Sequence, residues 1–411
     1  MKANGRKKAL ALVGAIAAAT ALAAPSVEIS NVQQQYPWTN TVDITYTVQG
    51  VSKTHQTNRL DHIVNDTYFA TFEAKNGNTA IQDVNGNTVF TNGLVQGNGT
   101  FTAQWHPKTD LQLTGCTMTP SVFRGEEQAY LVVNLEANSQ GKFEYWYEPM
   151  STQEESNKRY NTNEYKTKKL VLRRIKAGTY QIGDPISTGR MVQAPNTKHQ
   201  VVVTKDYFAA VFETTNGQYR RIMNDTTYSD NAYPVVRLSY NMVRGNASVG
   251  ALPGYGVCSN MNAKTSKIGW DLPTESMWEV AARAGNLEQW ASGASAAKLN
   301  EYANWHSSGT LPVGSLKPNN WGLFDTSGNT WEFARDNSRK GGADLKSFTA
   351  QNADVFVPIT GADNSKECLC GGSYLSSDPQ SYTLISARYL NHSKNDGRDH
   401  MGHRLFYVPQ D

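Results

Sequence analysis

Hydrophobic and polar residues alternate along the first part of the chain. Apolar side chains occupy every second position from Val42 to Val48, which is typical of a strand with one buried face. The same alternation, with aromatic and β-branched residues, recurs in four later segments, 68–73, 100–105, 130–136 and 142–147. Asn-Gly pairs, which tolerate the positive φ of tight turns, occur at 76–77, 85–86 and 92–93. We therefore predict a β-sandwich over residues 25–150.

The pattern changes after this region. Residues 151–168 have almost no apolar content and are predicted to form a polar linker. Beyond them, strand-like runs mix with helical ones, and the clearest helix is predicted within 272–285. Thr274 can cap its first turn and Gly285 can end it. The fold class is therefore predicted as α+β, with an all-β sandwich followed by a mixed domain at 169–411.

Length and composition agree with two folded domains. A chain of 411 residues exceeds what one hydrophobic core usually organises. With 39% hydrophobic and 18% charged residues, the composition excludes global disorder, a coiled coil and collagen. The formal charge of +3 favours anionic partners only weakly.

The N-terminus has the order of a secretory signal peptide. Four basic residues up to Lys8 precede an apolar run from Ala9 to Ala24, and small residues suited to cleavage lie near Ala23. We predict that residues 1–23 are removed and that the chain is secreted or periplasmic; the alternative is an N-terminal helix buried in the fold. Removing four of the 39 basic residues leaves 35 against 36 acidic ones, so a nucleic-acid partner is not expected. The run is shorter than the roughly 20 residues of a membrane span, so no transmembrane segment is predicted.

Cysteines and histidines give little support for a metal site of their own. Four cysteines are too few for a disulfide framework in a chain of this length. Cys368 and Cys370 could form half of a metal site, but no second pair completes a tetrahedral set. Burial, or one disulfide with Cys258 as the partner, are the alternatives. His400 and His403 form the one tight histidine pair, for which a surface turn with partial burial of His403 is expected rather than metal binding.

Seven sequence blocks follow one another in the second part of the chain. They are Gly178–Gly183, Pro234–Ser239, Leu272–Gly285, Pro312–Gly314, Pro318–Phe333, Gly371–Tyr374 and Gly402–Leu405. In this order they resemble the formylglycine-generating enzyme family, also called the sulfatase-modifying-factor family. The resemblance implies a compact, loop-rich α+β fold related to C-type lectins. The sandwich before it is similar, more weakly, to modules that accompany this family in exported bacterial proteins.

The resemblance also implies which residues would carry the family's chemistry. Its enzymes bind copper through two cysteines, three and eight positions after the serine of the Gly-Gly-Ser block, which is Ser373 here. Those positions hold Ser376 and Ser381 in this sequence. Copper(I) is a soft ion that prefers thiolates, so we expect no copper cofactor and no catalytic residues.

A calcium site is the one cofactor that the resemblance leads us to expect, in a structural role. By transfer from the family, Asp325 and Glu332 would give side-chain oxygens, and Gly328 and Thr330 backbone carbonyls. Ca²⁺ binds six to eight such oxygens. The alternative is a loop held by hydrogen bonds of Asp325 and Asn329, without an ion.

We therefore expect a catalytically inactive family member that binds a peptide, protein or glycan in the groove of the fold. That groove would be lined by Trp331, Ser373, Tyr374, Ser376, Ser381, Tyr382 and Arg388. Tyr and Ser make adaptable surfaces at a low entropic cost. The alternatives are a formylglycine-generating oxidoreductase that acts on sulfatase cysteines through a shifted cysteine pair, a variable lectin-like protein of a diversity-generating retroelement, and a structural component of the envelope.

Overall fold

The computed structural model divides the chain into two compact units. The first comprises Met1–Thr54 and Tyr68–Phe123, and the second His55–Thr67 and Arg124–Asp411. The residues that the structure describes are 25–35, 41–51, 68–83, 89–95, 98–108, 116–124, 128–148, 150, 152–183, 198–245, 255–290, 293, 295–339, 362–377 and 383–409. The predicted signal peptide, Ser381 and Tyr382 lie outside the described residues. None of the helices in the described part has the length and apolar character that crossing a membrane requires.

The first unit consists of two sheets that share one apolar core. The strands of one sheet, in spatial order, are β1 (Ser26–Gln34), β2 (Val42–Gln49) and β6 (Gly99–Trp105). The other contains β3 (Tyr68–Asn76), β4 (Thr79–Ala80), β5 (Val89–Val95) and β7 (Cys116–Arg124). The alternating apolar residues of β2 are buried and pack with Phe72 and Trp105. The predicted β-sandwich is therefore confirmed in its central strands.

A six-stranded sheet lies at the centre of the second unit. Its strands, in spatial order, are β14 (Trp270–Asp271), β19 (Phe406–Tyr407), β13 (Tyr207–Ala210), β10 (Lys169–Ile175), β8 (Tyr130–Asn134) and β9 (Tyr145–Glu148). The prediction that the first domain extends to residue 150 was therefore wrong, because β8 and β9 pair with β10. Alternation identified both strands correctly, but it contains no information about which sheet a strand joins.

The predicted linker at 151–168 was also wrong. This segment forms α1 (Gln153–Tyr160) and α2 (Asn163–Thr167). The Thr152 hydroxyl caps α1 by accepting the Glu155 N–H at 3.1 Å. Tyr160 and Tyr165 are buried, and the Tyr160 ring packs on Tyr130 with 4.6 Å between ring centroids. Two tyrosines supply the buried area that a count of aliphatic residues misses.

The rest of the second unit combines short helices, loops and two smaller sheets. The helices are α3 (Asn216–Met223), α4 (Tyr240–Val243), α5 (Val257–Thr265) and α6 (Glu275–Arg283), with a 3₁₀ helix at Ala296–Glu301. The strands are the hairpin β11 (Gly178–Ile182) and β12 (His199–Val203), and the sheet β17 (Arg388–Ser393), β16 (Ala362–Cys370), β15 (Trp331–Arg339) and β18 (Met401–Gly402). The helix predicted at 272–285 is α6, and Thr274 caps it by accepting the Met277 N–H. The predicted α+β class is confirmed.

Candidate functional site

The Gly-Gly-Ser block forms a closed turn after β16. Gly371 has φ of 91°, and a Cβ atom there would lie 2.9 Å from the Trp278 ring, so glycine is required. The Ser373 N–H donates to the Ser376 Oγ atom at 3.0 Å, and the Ser376 N–H donates to the Ser373 carbonyl at 3.0 Å. The Tyr374 N–H donates to the Asn329 carbonyl at 3.0 Å. The Ser376 hydroxyl therefore holds the backbone of its own turn.

A second loop covers this turn. The His306 N–H donates to the Ser376 carbonyl, and the Ser307 N–H donates to the Tyr374 carbonyl, both at 2.9 Å. The side chains of Ser373, Tyr374 and Ser376, which were predicted to line a groove, are buried. Leu375 between them is 52% exposed. The residue that the turn presents to solvent is thus a leucine that the sequence did not single out.

The predicted groove residue Trp331 is buried beneath a more exposed aromatic residue. The rings of Trp331 and Tyr389 lie 5.9 Å apart between centroids, and Tyr389 is 38% exposed. The Trp331 N–H donates to the His400 carbonyl. The sequence analysis did not identify Tyr389 as a surface residue. Successive side chains of a strand point to opposite faces, so Tyr389 points away from the side on which Arg388 lies.

Arg388 lies in the interior rather than along a groove, which corrects the prediction. Its guanidinium donates to the carboxylates of Glu275 and Glu279 and lies 5.8 Å from the centre of the Trp278 ring. Arg283 contacts Glu279 as well, at 2.8 Å. Burial by itself would raise the pKa of Glu279, but Arg283 and Arg388 lower it below its ordinary value. We call Glu275, Glu279, Arg283 and Arg388 the paired network.

The predicted calcium residues Asp325, Gly328 and Thr330 lie in a tight loop before β15, and Glu332 is the second residue of that strand. Gly328 has φ of 80°, and a Cβ atom there would lie 2.3 Å from the Asn304 carbonyl oxygen. The Asp325 Oδ2 atom accepts the Gly314 N–H at 2.8 Å. Glu332 accepts from Arg404 through both oxygens, at 2.6 and 2.7 Å, and its Oε2 also accepts the Trp278 indole N–H at 2.6 Å.

A third buried carboxylate, which the sequence analysis missed, joins this loop. Glu213 accepts hydrogen bonds from the backbone and hydroxyl of Thr330 and from the Asn329 amide. Burial, followed by the charges of Asp325 and Glu332, raises its pKa well above the ordinary value. Burial also raises the pKa of Asp325 to about 6. We call Glu213, Asp325, Glu332 and Arg404 the carboxylate cluster. The one available signal was an isolated acidic residue directly after the apolar run of β13.

The carboxylates of Asp325 and Glu332 keep lone pairs that a cation could use, but side chains alone do not complete a metal site. A carboxylate offers about four lone-pair sites. Glu332 uses three, with one left on Oε1, and Asp325 accepts one hydrogen bond. Among the described residues, no group of three or more Asp, Glu, His or Cys residues could hold a metal ion by itself. The carbonyls of Gly328 and Thr330 would have to supply the remaining ligands.

Three of the four cysteines are buried, and none occupies the position of Ser376 or Ser381. Cys368 and Cys370 on β16 are buried against α6, and the Cys368 thiol lies 3.5 Å from a Glu275 oxygen. Cys258 is buried on α5, where burial raises the pKa of its thiol well above the ordinary value. None of the four cysteines forms a disulfide, so the alternative of a disulfide with Cys258 does not occur and burial of these three thiols is found instead.

The two histidines of the tight pair have different surroundings. His400 contacts Asp399 at 3.2 Å and is partly exposed. His403 is fully buried, and neither of its ring nitrogens has a hydrogen-bond partner in the described part of the protein. Burial lowers the pKa of His403 to about 3. The expected surface turn thus accounts for His400, whereas the burial of His403 is complete rather than partial.

The second unit is therefore a loop-rich α+β domain whose serine turn follows β16, an inner strand of its sheet. A model described as the sulfatase-modifying factor enzyme 1-like domain matches residues 155–407. The chain belongs to this family, which is the family that the sequence blocks predicted.

Individual relatives are more distant. The chain is 22% identical over 220 residues to the inactive Cα-formylglycine-generating enzyme 2 of Mus musculus, covering 42% of this chain and 70% of that protein. It is 28% identical over 112 residues to the formylglycine-generating enzyme of Thermomonospora curvata, covering 20% of this chain and 37% of that protein. Among solved structures, Treponema denticola variable protein 1 aligns with a TM-score of 0.44 at 22% identity, covering 59% of this chain and 96% of that one.

Proposed function

We propose that this protein is an exported, catalytically inactive member of its family that binds a peptide, protein or glycan beside the serine turn. The observation that carries the proposal is the position of Ser376. Its hydroxyl oxygen accepts the Ser373 N–H where the family's enzymes have a thiolate. A serine hydroxyl is a hard, neutral ligand, so it does not replace a thiolate toward copper(I).

The position of the thiols supports the same proposal. Cys368 pairs with Ala334, and Cys370 with Glu332, across the sheet between β15 and β16. Moving either thiol toward Ser376 would require this register to slip, which would turn the buried residues of β16 to the other face. No observation on the described residues favours the alternative of a formylglycine-generating oxidase.

Exposed apolar side chains near the turn support a binding surface. Leu375, Tyr389 and Leu311 are 52%, 38% and 38% exposed. Asn329 links Leu311 to the serine turn, because its side chain accepts the Leu311 N–H and its carbonyl accepts the N–H of Tyr374, the residue before Leu375. Large apolar residues exposed together on a polar surface are typical of interaction sites. We call Leu311, Leu375 and Tyr389 the groove surface.

We further propose that Ca²⁺ binds at Asp325 and Glu332, with the carbonyls of Gly328 and Thr330, and stabilises the loop whose Asn329 holds the backbone of Leu311 and of Tyr374. The excess of buried negative charge in the carboxylate cluster supports this proposal, since a divalent cation would offset it. The ion would have a structural role, because Asn329 lies within this loop and fixes the backbone on both sides.

Peptide, protein and glycan arrays probed with the purified chain test the binding function. Leu375→Ser is expected to weaken binding to the recovered ligand at least tenfold, because it replaces an exposed apolar side chain of the proposed binding surface with a polar one. Leu287→Ser is the matched control, since Leu287 is 51% exposed but belongs to another loop. Equal binding by both variants would contradict the proposed surface.

A second measurement tests the absence of catalysis. The chain is incubated with copper(I) and a peptide that carries a sulfatase cysteine, and the peptide mass is followed. We expect no formylglycine product and no stoichiometric copper(I) binding that depends on Cys368 or Cys370. Conversion of the cysteine, lost in Cys368→Ser or Cys370→Ser, would establish the oxidase alternative instead.

A further inference from the structure

A separate cavity of about 420 Å³ opens beside the end of β10. It shares no residue with the groove surface, the paired network or the carboxylate cluster. Its polar and aromatic lining includes Gln128, Arg173, Arg174, Lys176, Tyr180 and Trp321. The volume lies within the range of about 300–1,000 Å³ that is usual for small-molecule sites.

One wall of the cavity is aromatic and held in place. Tyr180 and Trp321 pack edge to face, with 5.9 Å between ring centroids and 80° between ring planes. The Tyr180 hydroxyl donates to the Lys176 carbonyl at 2.8 Å, which fixes the tyrosine ring. The Trp321 N–H of the backbone donates to Asn319 at 3.0 Å, whereas the indole N–H has no partner in the described part of the chain. The wall therefore offers an apolar face and one available donor.

The lining also contains three cations, Arg173, Arg174 and Lys176, which differ in their partners. Arg174 forms an ion pair with Asp206, and Asp206 also accepts the Ala177 N–H at 2.7 Å. Arg173 donates to the Ala129 carbonyl at 3.2 Å and lies 5.1 Å from the centre of the Tyr130 ring. These contacts hold the two guanidinium groups at fixed positions along the cavity.

Arg173 has no carboxylate partner among the described residues, and its Nε atom is buried without a hydrogen bond. Burial lowers the pKa of Arg173 from its ordinary value, which reflects the cost of holding this cation away from water. Lys176 is exposed at the rim. Among the described residues, the lining thus contains three cations and no carboxylate, and the half-buried Arg173 has no carboxylate partner there.

We infer that this cavity binds an acidic sugar residue, that is, a pyranose ring with a carboxylate. The guanidinium fork of Arg173 matches a carboxylate, and Lys176 adds a second positive charge. The apolar C–H face of the ring packs on Trp321, and the ring hydroxyls bond to the Gln128 amide and the indole N–H. An aromatic carboxylate could use the same cation and the same apolar wall, but it has no hydroxyls for the two remaining polar groups.

Calorimetric titration of the full chain with trigalacturonate tests this inference. Galactotriose is the comparison ligand without carboxylates, and benzoate is the comparison ligand without sugar hydroxyls. We expect saturable binding of trigalacturonate, at least tenfold weaker binding of galactotriose, and weaker binding of benzoate. Equal binding of galactotriose would overturn the role of the carboxylate, and preferred binding of benzoate would overturn the sugar. The absence of saturable binding of trigalacturonate would overturn the inference as a whole.

Substitutions in the cavity locate the site. Arg173→Gln is expected to weaken trigalacturonate binding roughly tenfold to hundredfold, and Lys176→Gln severalfold. Lys298→Gln removes one exposed positive charge on the 3₁₀ helix and should leave binding unchanged. If Arg173→Gln does not fold, Lys176→Gln and Trp321→Phe test the location of the site. Trigalacturonate binding that is unaffected by both substitutions would show that the sugar does not bind in this cavity. Leu375→Ser should bind trigalacturonate normally, so this test is independent of the proposed groove.

Discussion

Two buried charge networks meet at the Trp278 side chain, and they differ in their charge balance. The paired network has two arginines for two glutamates, and the pKa of Glu279 is lowered there. The carboxylate cluster has three carboxylates and one arginine, and the pKa values of Glu213 and Asp325 are raised there. Burial acts on both networks alike. The difference indicates that the paired network stabilises the fold as it stands. The carboxylate cluster, in contrast, has an excess of negative charge that binding a proton or a cation would offset.

The largest expected effect comes from breaking the balanced network. Arg388→Met leaves two carboxylates buried without one of their cations, and we expect the free energy of unfolding to fall by about 3–5 kcal/mol. Chemical denaturation measures the change. Arg398→Gln is the control, because Arg398 pairs with Asp396 at the exposed surface, where water and salt screen such pairs and they contribute little to stability. Similar losses in both variants would show that burial of the pair does not matter.

The unbalanced cluster is expected to respond to calcium. At a Ca²⁺ concentration one hundred times the Kd, the free energy of unfolding should rise by about 2.7 kcal/mol. Asp325→Asn should lose this gain and, without calcium, should be as stable as the native chain or more so, because it removes one of three buried negative charges. Thermal unfolding with Ca²⁺ or a chelator measures both effects.

The control for calcium is Glu301→Gln, which alters an exposed carboxylate paired with Lys317. It should keep the full response to Ca²⁺. If Ca²⁺ leaves the unfolding of the native chain unchanged, the carboxylate cluster holds no calcium ion, and a proton bound by one of its carboxylates reduces the negative charge instead. That result would contradict the calcium proposal, but the two networks would still differ in charge balance.

His403, a buried titratable group with no hydrogen-bond partner among the described residues, extends the comparison. The folded pKa of His403 is about 3, so the folded chain holds it neutral while the unfolded chain protonates it below its ordinary pKa of 6.5. Stability should therefore be lost as the pH falls below 6.5, by about 2 kcal/mol at pH 5. His403→Phe should remove this part of the pH dependence. Unfolding measured between pH 4.5 and 7.5 checks it.

The matched control for that series is His400→Gln, because the His400 ring is partly exposed and contacts Asp399. It should leave the acid-dependent loss of stability in place. An unchanged slope in His403→Phe would mean that carboxylates, and not this histidine, set the acid limb of the stability curve.

Local features of this fold could be predicted from the sequence, and non-local ones could not. The cap at Thr274 and the alternation in β2 are determined within a few residues, and both were found as predicted. The sheet to which β8 and β9 belong depends on pairing with β10, which alternation does not encode.

The candidate site shows the same limit. The family blocks located the serine turn and the Asp325 loop, but Glu213 reaches Thr330 from 117 positions away in the chain. Arg388 was expected to line the groove that the family resemblance implies. Its burial depends on Glu275 and Glu279, which α6 brings to it through tertiary packing alone.

The smallest expected effect concerns the serine turn, which is polar and buried but carries no charge. Ser376→Ala leaves the Ser373 N–H without its acceptor, and we expect a loss of about 1–2 kcal/mol in the free energy of unfolding. Ser377→Ala, at the exposed neighbouring position, should cost much less. If Ser376 instead serves as a reactive group, its replacement should leave stability unchanged and alter ligand turnover. Denaturation and mass spectrometry of a bound peptide together distinguish these outcomes, because a hydroxyl that only supports a turn changes the first and not the second.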